Sequence, residues 1–330
     1  IAKAAIIPAI LFYIAVFAAV HLEAVKNELQ PMEEHELPSA KAALIEGGHV
    51  LIAIPAFIGF LMNGYSVMYS SLWSIVILGL LSFLKPSTWL VPSKIISTSK
   101  AAAQAVLPVA MATATAGIII AVVTLTGVGL KFSSLIVTLS GGSLLVALML
   151  TMAASLILGM GLPTAAAYIL VATQAAPALI NLGVNTLAAH FFVFYSAMLS
   201  AITPPVALAA FAAAALSGEN PMRIALAVKY GLVAFLIPYF FVFDPRLLGI
   251  GELQTLIMPF ISGMIGTLAL ASSLQGWLLG QTSLLVRILL FIGAMLLIMP
   301  GFTSNLIGIA CIFLAGAMQK YLPVQKHGEI

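Results

Sequence analysis

The chain has 330 residues, 62% hydrophobic and 7% charged, with a mean hydropathy of +1.19, which excludes an ordinary water-soluble globular protein. A bilayer core of about 30 Å is crossed by roughly 20 mainly apolar residues, and the apolar runs here are continuous, unlike barrel strands that alternate over about 10 residues. The net charge of +3 comes from thirteen Lys and Arg set singly at the ends of apolar runs. Membrane proteins distribute basic residues in this way, and with no basic stripe among aromatics nucleic acid is excluded as a partner.

In chain order, the apolar pattern predicts spans over 4 to 20, 49 to 65, 67 to 84 and 103 to 130. A paired passage follows at 144 to 160 and 164 to 180, then a run at 186 to 216 and spans at 224 to 243, 254 to 272, 285 to 300 and 305 to 319. The N-terminus, IAKAAIIPAILFYIAVF, has no initiator Met and no small-residue cleavage site, so it does not read as a signal peptide. Two polar connections are expected. Residues 21 to 48 hold Glu23, Glu28, Glu33, Glu34, Glu36 and Glu46, and residues 85 to 100 hold Lys85, Lys94 and Lys100. With the 85 to 100 connection placed in the cytoplasm, ten Lys and Arg, among them Lys26, Lys229, Arg287 and Lys326, fall inside. Only Lys3, Lys131 and Arg246 fall outside. Cys311, the single cysteine, offers neither a disulfide nor a thiolate metal site.

Away from their ends the spans carry no Asp, Glu, Lys or Arg, the residues on which proton relays and charge gates are built. Any ligand held at mid-membrane must use backbone, hydroxyl, amide or imidazole groups. The pool contains Thr113, Thr115, Thr124, Thr126, Ser155, Tyr168, Thr173, Gln174, His190, Tyr195 and Ser196, besides the residues of two breaks. His190 and Gln174 read as hydrogen-bonded packing groups. TAGI at 115 to 118 and TLTGVG at 124 to 129 read as small-residue helix packing.

The first break is GMGLPT, with Gly159, Gly161, Pro163 and Thr164. The second is SAITPPV, with Ser200, Thr203, Pro204 and Pro205, inside the run 186 to 216. The Pro pair removes two backbone donors and biases Thr203 away from helix, so this run is expected to be two half-helices around an unwound middle. Irregular backbone at membrane depth is tolerated only inside protein or along a cavity. Freed carbonyls suit a hard cation such as Na⁺, and N–H groups opening a half-helix suit an anion. The arms 144 to 158 and 165 to 180 are each about 15 residues, roughly 23 Å, which favours a re-entrant hairpin facing the broken helix.

LGMGLPTAAAYILVATQAAPALINLGV and LAAHFFVFYSAMLSAITPPVALAAFAAAALSGENPMRIAL resemble the large membrane subunit of tripartite ATP-independent periplasmic (TRAP) transporters, in particular the fused type served by TAXI-class binding proteins. IIPAILFYIAVFAAVHLEA, GIIIAVVTLTGVGLKFSSLI and FDPRLL carry the same resemblance over about residues 1 to 250, with Ala121 where relatives often have Gly. Residues 252 to 319 resemble extra C-terminal helices of some fused members.

The resemblance implies an all-α polytopic membrane protein of the elevator type, holding the second of two inverted repeats. It also implies that the chain is the C-terminal part of the permease, beginning just after the first repeat's broken helix. The expected organisation is scaffold-type helices over 1–100, a transport unit over 101–250 and accessory helices over 251–330. Gly159, Gly161, Pro163, Thr164, Ser200, Thr203, Pro204 and Pro205 are then the expected substrate and cation residues, with a Na⁺ site near Gly159, Gly161, Thr164 and Thr203. Expected partners are a periplasmic TAXI-type substrate-binding protein, membrane lipid and a small organic anion, a carboxylate. Na⁺ is the expected coupling ion, with H⁺ as the alternative. The location is a bacterial or archaeal cytoplasmic membrane, and no cofactor or catalytic residue is expected. The alternative reading is a structural membrane subunit or channel component without a substrate site of its own. An intramembrane enzyme is disfavoured: Asp244 is the only Asp, and no GxSxG accompanies His190.

Overall fold

The computed structural model describes residues 1–30, 39–227, 231–251 and 253–321. Glu33, Glu34, Glu36, Lys229, Lys326 and the side chain of Thr124 therefore lie outside the described residues. Helices dominate throughout, in agreement with the all-α polytopic expectation. Among the described residues four are long and apolar enough to cross a membrane, or up to six when each of two bent pairs counts as one span. The chain divides into two compact units, one gathering Lys3–Leu29 and Ala110–Ile330, the other Gln30–Val109.

In the smaller unit, α2 (Ala40–Gly47) is opened by Ser39, whose hydroxyl accepts from the Ala42 N–H. It bends by 74° into the stretch Val50–Met62, which contains α3 (Ala53–Met62). Helix α4 (Val67–Ser82) is capped in the same way by Ser66. The Lys85 ammonium donates to the carbonyls of Ile45 and Glu46 at the end of α2, where the helix dipole favours a cation. Helix α5 (Pro92–Thr126) starts much earlier than expected. Lys94 and Lys100 thus lie on a helix, not in a polar connection. A Pro at the first helical position and the helix formers of KAAAQAV override their polarity.

The larger unit begins with α1 (Ala2–Lys26), which carries Glu23 and Lys26 on its last turn. The expected span 103 to 130 is not one helix. Gly127, in the left-handed conformation at φ +68, ends α5 and opens α6 (Val128–Ser140), with a bend of 79°. Only glycine takes this conformation readily, so Gly127 of TLTGVG is a corner with open space at its Cβ position, and the packing glycine of the motif is Gly129, whose Cβ would lie 3.1 Å from Val123. Lys131 accordingly lies within α6.

Helices α7 (Leu144–Gly159) and α8 (Thr164–Asn181) form the expected hairpin. Their 16 and 18 residues correspond to about 24 and 27 Å. The second arm is longer than expected, because Thr164 already belongs to it and it continues to Asn181, and it meets the length and hydropathy of a spanning helix. Next come α9 (Thr186–Ser200), α10 (Leu208–Ser217), the short α11 (Pro221–Leu226) and α12 (Val233–Phe243). The run 186 to 216 is therefore two helices around an interruption.

Helix α12 is the pivot of the core, with Val233, Ile237, Phe240 and Phe241 all fully buried. Tyr239 packs edge-on against Phe192 at 5.1 Å, and Phe241 meets Phe191 and Tyr195. These pairs lock α9 to α12. Helices α13 (Leu253–Gln275), α14 (Leu284–Ile298) and α15 (Phe302–Tyr321) follow. The end of α13 is held by two cations: Arg287 donates to the carbonyls of Ser273 and Leu274, and Lys26 to that of Gln275. Helices α14 and α15 approach through glycine, since a Cβ on Gly293 would stand 2.9 Å from the Gly308 carbonyl oxygen.

Candidate functional site

The hairpin tip is built by residues that cannot continue a helix. Gly159 closes α7, Met160 turns extended (ψ 126) and Gly161 takes φ +78. Pro163, lacking an N–H, sits ahead of Thr164, the first residue of α8. One bond, from the Leu162 N–H to the Gly159 carbonyl at 3.2 Å, closes the turn. Among the described residues no side chain caps the start of α8, which leaves its leading N–H groups uncapped.

The interruption after α9 is held differently. Successive N–H groups of Ala201, Ile202 and Thr203 donate to the carbonyls of Met198, Leu199 and Ser200, tightening the last turn. The Pro204–Pro205 bond is cis, and neither proline offers an N–H. The chain re-enters helix through Ala207, left-handed at φ 42, while the Ala209 N–H reaches back to the Ala201 carbonyl at 3.0 Å. The N–H groups of the break are thus largely satisfied within it.

The two breaks meet. A Cβ built on Gly159 would lie 2.6 Å from the Ser200 hydroxyl oxygen and 3.4 Å from the Ala167 Cβ, and one on Gly161 would lie 3.7 Å from Val206. Behind the contact run two small, polar stripes. On α7, Thr151, Ser155 and Gly159 follow at four-residue spacing and are all buried; on α9, Ser196 and Ser200 do the same. Residues four apart share a helix face, and small faces let backbones close in. Away from Gly159 and Ser200 the tip opens outward: Pro163, Thr164, Thr203 and Pro204 are half-buried, Gly161 and Pro205 exposed.

Hydroxyl bonding in the site is local. Ser200 donates to the Ala197 carbonyl (2.6 Å), Thr203 to Leu199 (2.8 Å) and Ser155 to Thr151 (2.6 Å). Each hydroxyl proton is thereby committed, so each oxygen is left to accept. The structure brings Gly159 to Ser200 and Gly161 to Val206, and the Thr203 hydroxyl bonds to the Leu199 carbonyl of its own turn.

Val206 and Thr151 were not singled out by the sequence. Thr151 is fully buried, and its hydroxyl oxygen has no hydrogen-bond partner among the described residues. Its place eight residues before Gly159 was the available signal. Next to the site, the Tyr168 hydroxyl and His190 Nδ1 lie 3.0 Å apart and join α8 to α9, and Gln174 donates to the Leu170 carbonyl. Both polar residues are packing groups here, as expected.

No curated protein and no solved structure matches the chain. The family profile described as "Tripartite ATP-independent periplasmic transporter, DctM component" matches residues 1–256, a stretch that takes in the hairpin, the break and all of α12. The chain accordingly belongs to the DctM family, the large membrane components of TRAP transporters.

Proposed function

We propose that this permease component performs cation-coupled uptake of a small organic anion, a carboxylate, with Na⁺ as the coupling ion. Components of its family are multi-pass proteins of the inner membrane and work with a periplasmic binding protein and a small membrane subunit. We further propose a binding protein of the TAXI class, on the strength of the residues around GMGLPT and SAITPPV. The observation that carries the reading is the contact of the hairpin tip with the broken helix at Gly159 and Ser200.

In the proposed mechanism the uncapped N–H groups at the start of α8 compensate the carboxylate charge. Carbonyl and hydroxyl oxygens around Gly159, Gly161, Thr164, Ser200 and Thr203 coordinate the cation, since a hard cation prefers oxygen ligands. Pro163, Pro204 and Pro205 keep both segments unwound and the polar backbone available. The hairpin, being re-entrant in this reading, closes over substrate and ion and moves with α9 as an elevator. A carboxylate proton carrier is disfavoured, because this region holds no acidic side chain.

The test is uptake by the permease with its partner proteins in proteoliposomes under imposed Na⁺ or H⁺ gradients. Uptake driven by the Na⁺ gradient alone, and lost in Thr164→Ala, Thr203→Val and the double Pro204→Ala/Pro205→Ala variant, is the expected result. Uptake driven only by H⁺ sinks the ion assignment. Undiminished uptake in all three variants sinks the site.

A further inference from the structure

Helices α12 to α15 enclose a second polar site, remote in sequence from the hairpin and built largely from residues beyond the family match. A cavity of about 110 Å³ is lined by Asp244, Arg246, Ser262, Met299, Gly301 and Asn305 among others. Asn305 is 9% exposed, and its Oδ1 is buried with no hydrogen-bond partner among the described residues. An empty buried acceptor is destabilising, so a donor is called for.

The rest of the lining says which kind. Asp244, 5% exposed, accepts from Arg246 Nε at 2.8 Å and Nη2 at 2.7 Å, and from the Arg246 backbone N–H at 3.2 Å. Ser262 gives its hydroxyl proton to the Met258 and Pro259 carbonyls and can only accept from a ligand. Buried acceptors therefore gather in Asn305, Asp244 and Ser262. The half-exposed guanidinium of Arg246 supplies donors; two of its five N–H groups are spent on Asp244. An ammonium fits the buried acceptors and an anion fits the guanidinium, joined by a short linker. A quaternary ammonium of the choline type has no N–H to give and is bulkier.

Location decides the source. The cavity sits where α12 gives way to the Pro245–Leu248 turn, α14 ends and α15 begins. These chain reversals lie at one end of a membrane-embedded bundle, the level of lipid headgroups. Met299 and Phe302, both on the lining, are 51% and 69% exposed and give acyl chains an apolar rim. We infer that this cavity holds the headgroup of an aminophospholipid, its primary ammonium on Asn305 and its phosphate on Arg246.

The full chain in nanodiscs of equal phosphatidylethanolamine and phosphatidylcholine is the direct test, with retained lipid identified by native mass spectrometry. The expected retention ratio is about fivefold in favour of phosphatidylethanolamine, the size of one net hydrogen bond. It falls to unity in Asn305→Leu and is kept or raised in Asn305→Asp, which preserves shape and acceptor should the leucine variant fail to fold. A ratio near one in the unaltered protein overturns the inference, as does a preference that survives Asn305→Leu or disappears in Asn305→Asp. Binding of free O-phosphoethanolamine to delipidated protein as tight as that of the lipid makes the occupant a soluble zwitterion and overturns the lipid assignment.

Discussion

The two halves of the broken helix are equally apolar and are packed in opposite ways. On α9, Phe192, Val193, Ser196, Ala197, Leu199 and Ser200 are all buried, and three aromatic pairs tie it to α12. On α10, Ala210 and Ala214 are buried, while Phe211 is 53% and Leu216 92% exposed. Hydropathy cannot tell these halves apart; bulk can. The aromatics of AHFFVFYSAML reach a neighbouring helix, whereas the alanines of AAFAAAALS present a smooth face with little to interlock. The interruption at 201 to 207 thus joins an anchored half to a lightly held one. The hairpin tip touches the anchored half through Ser200. In the proposed elevator, hairpin and α9 form the body that moves together.

Substitutions on the two halves should separate them sharply. Phe192→Ala, which empties a fully buried ring site against Tyr239, is expected to cost about 3–5 kcal/mol, whereas Phe211→Ala on α10 should stay within about 0.5 kcal/mol. Chemical unfolding in detergent measures both, and equal losses would erase the distinction. Gly159→Val tests the junction itself. Its new side chain meets a hydroxyl already fastened to the Ala197 carbonyl, an overpacking worth about 1–3 kcal/mol. Uptake should fall about fivefold or more, by the same free-energy scale, with the protein still inserted. In the milder Gly159→Ala background, Ser200→Gly should recover part of the lost stability, because it removes the atoms that collide. Failure of that rescue would mean that Gly159 matters for its conformation and not for its closeness to Ser200.

What the sequence reveals divides along a physical line. The apolar helices and both breaks are largely legible, because hydrocarbon forces continuous apolar helices and makes Gly and Pro conspicuous wherever backbone is freed. The meeting of Gly159 with Ser200 is not, since it depends on how α7 and α9 pack and no local pattern encodes that. The corner at Gly127 is hidden because a glycine that lets helices approach and one that adopts φ +68 look identical in one sequence. Lys94 and Lys100 suggest a connection because charge is a more conspicuous signal than helix propensity. The lipid cavity escapes notice because its parts, Asp244, Arg246 and Asn305, lie on different elements and are individually ordinary.

The smallest expected effect tests how the break is set. Ala207 re-enters helix at φ 42 and ψ 57 and is 1% exposed; Ala210, three residues later, is 5% exposed in regular helix. For an L-residue the left-handed conformation costs about 1–2 kcal/mol, which a glycine at this position would recover. Against this stand the lost methyl, about 0.8 kcal/mol, and the greater freedom of glycine in the unfolded chain, about 0.5–1 kcal/mol. Ala207→Gly should therefore change stability by less than about 0.5 kcal/mol on these same terms. Ala210→Gly recovers no strain and bears both losses, about 1–2 kcal/mol. Paired unfolding curves decide the matter. If the two variants lose equally, Ala207 carries no strain, and the unwound segment is dictated by Pro204 and Pro205 without help from the residue that follows them.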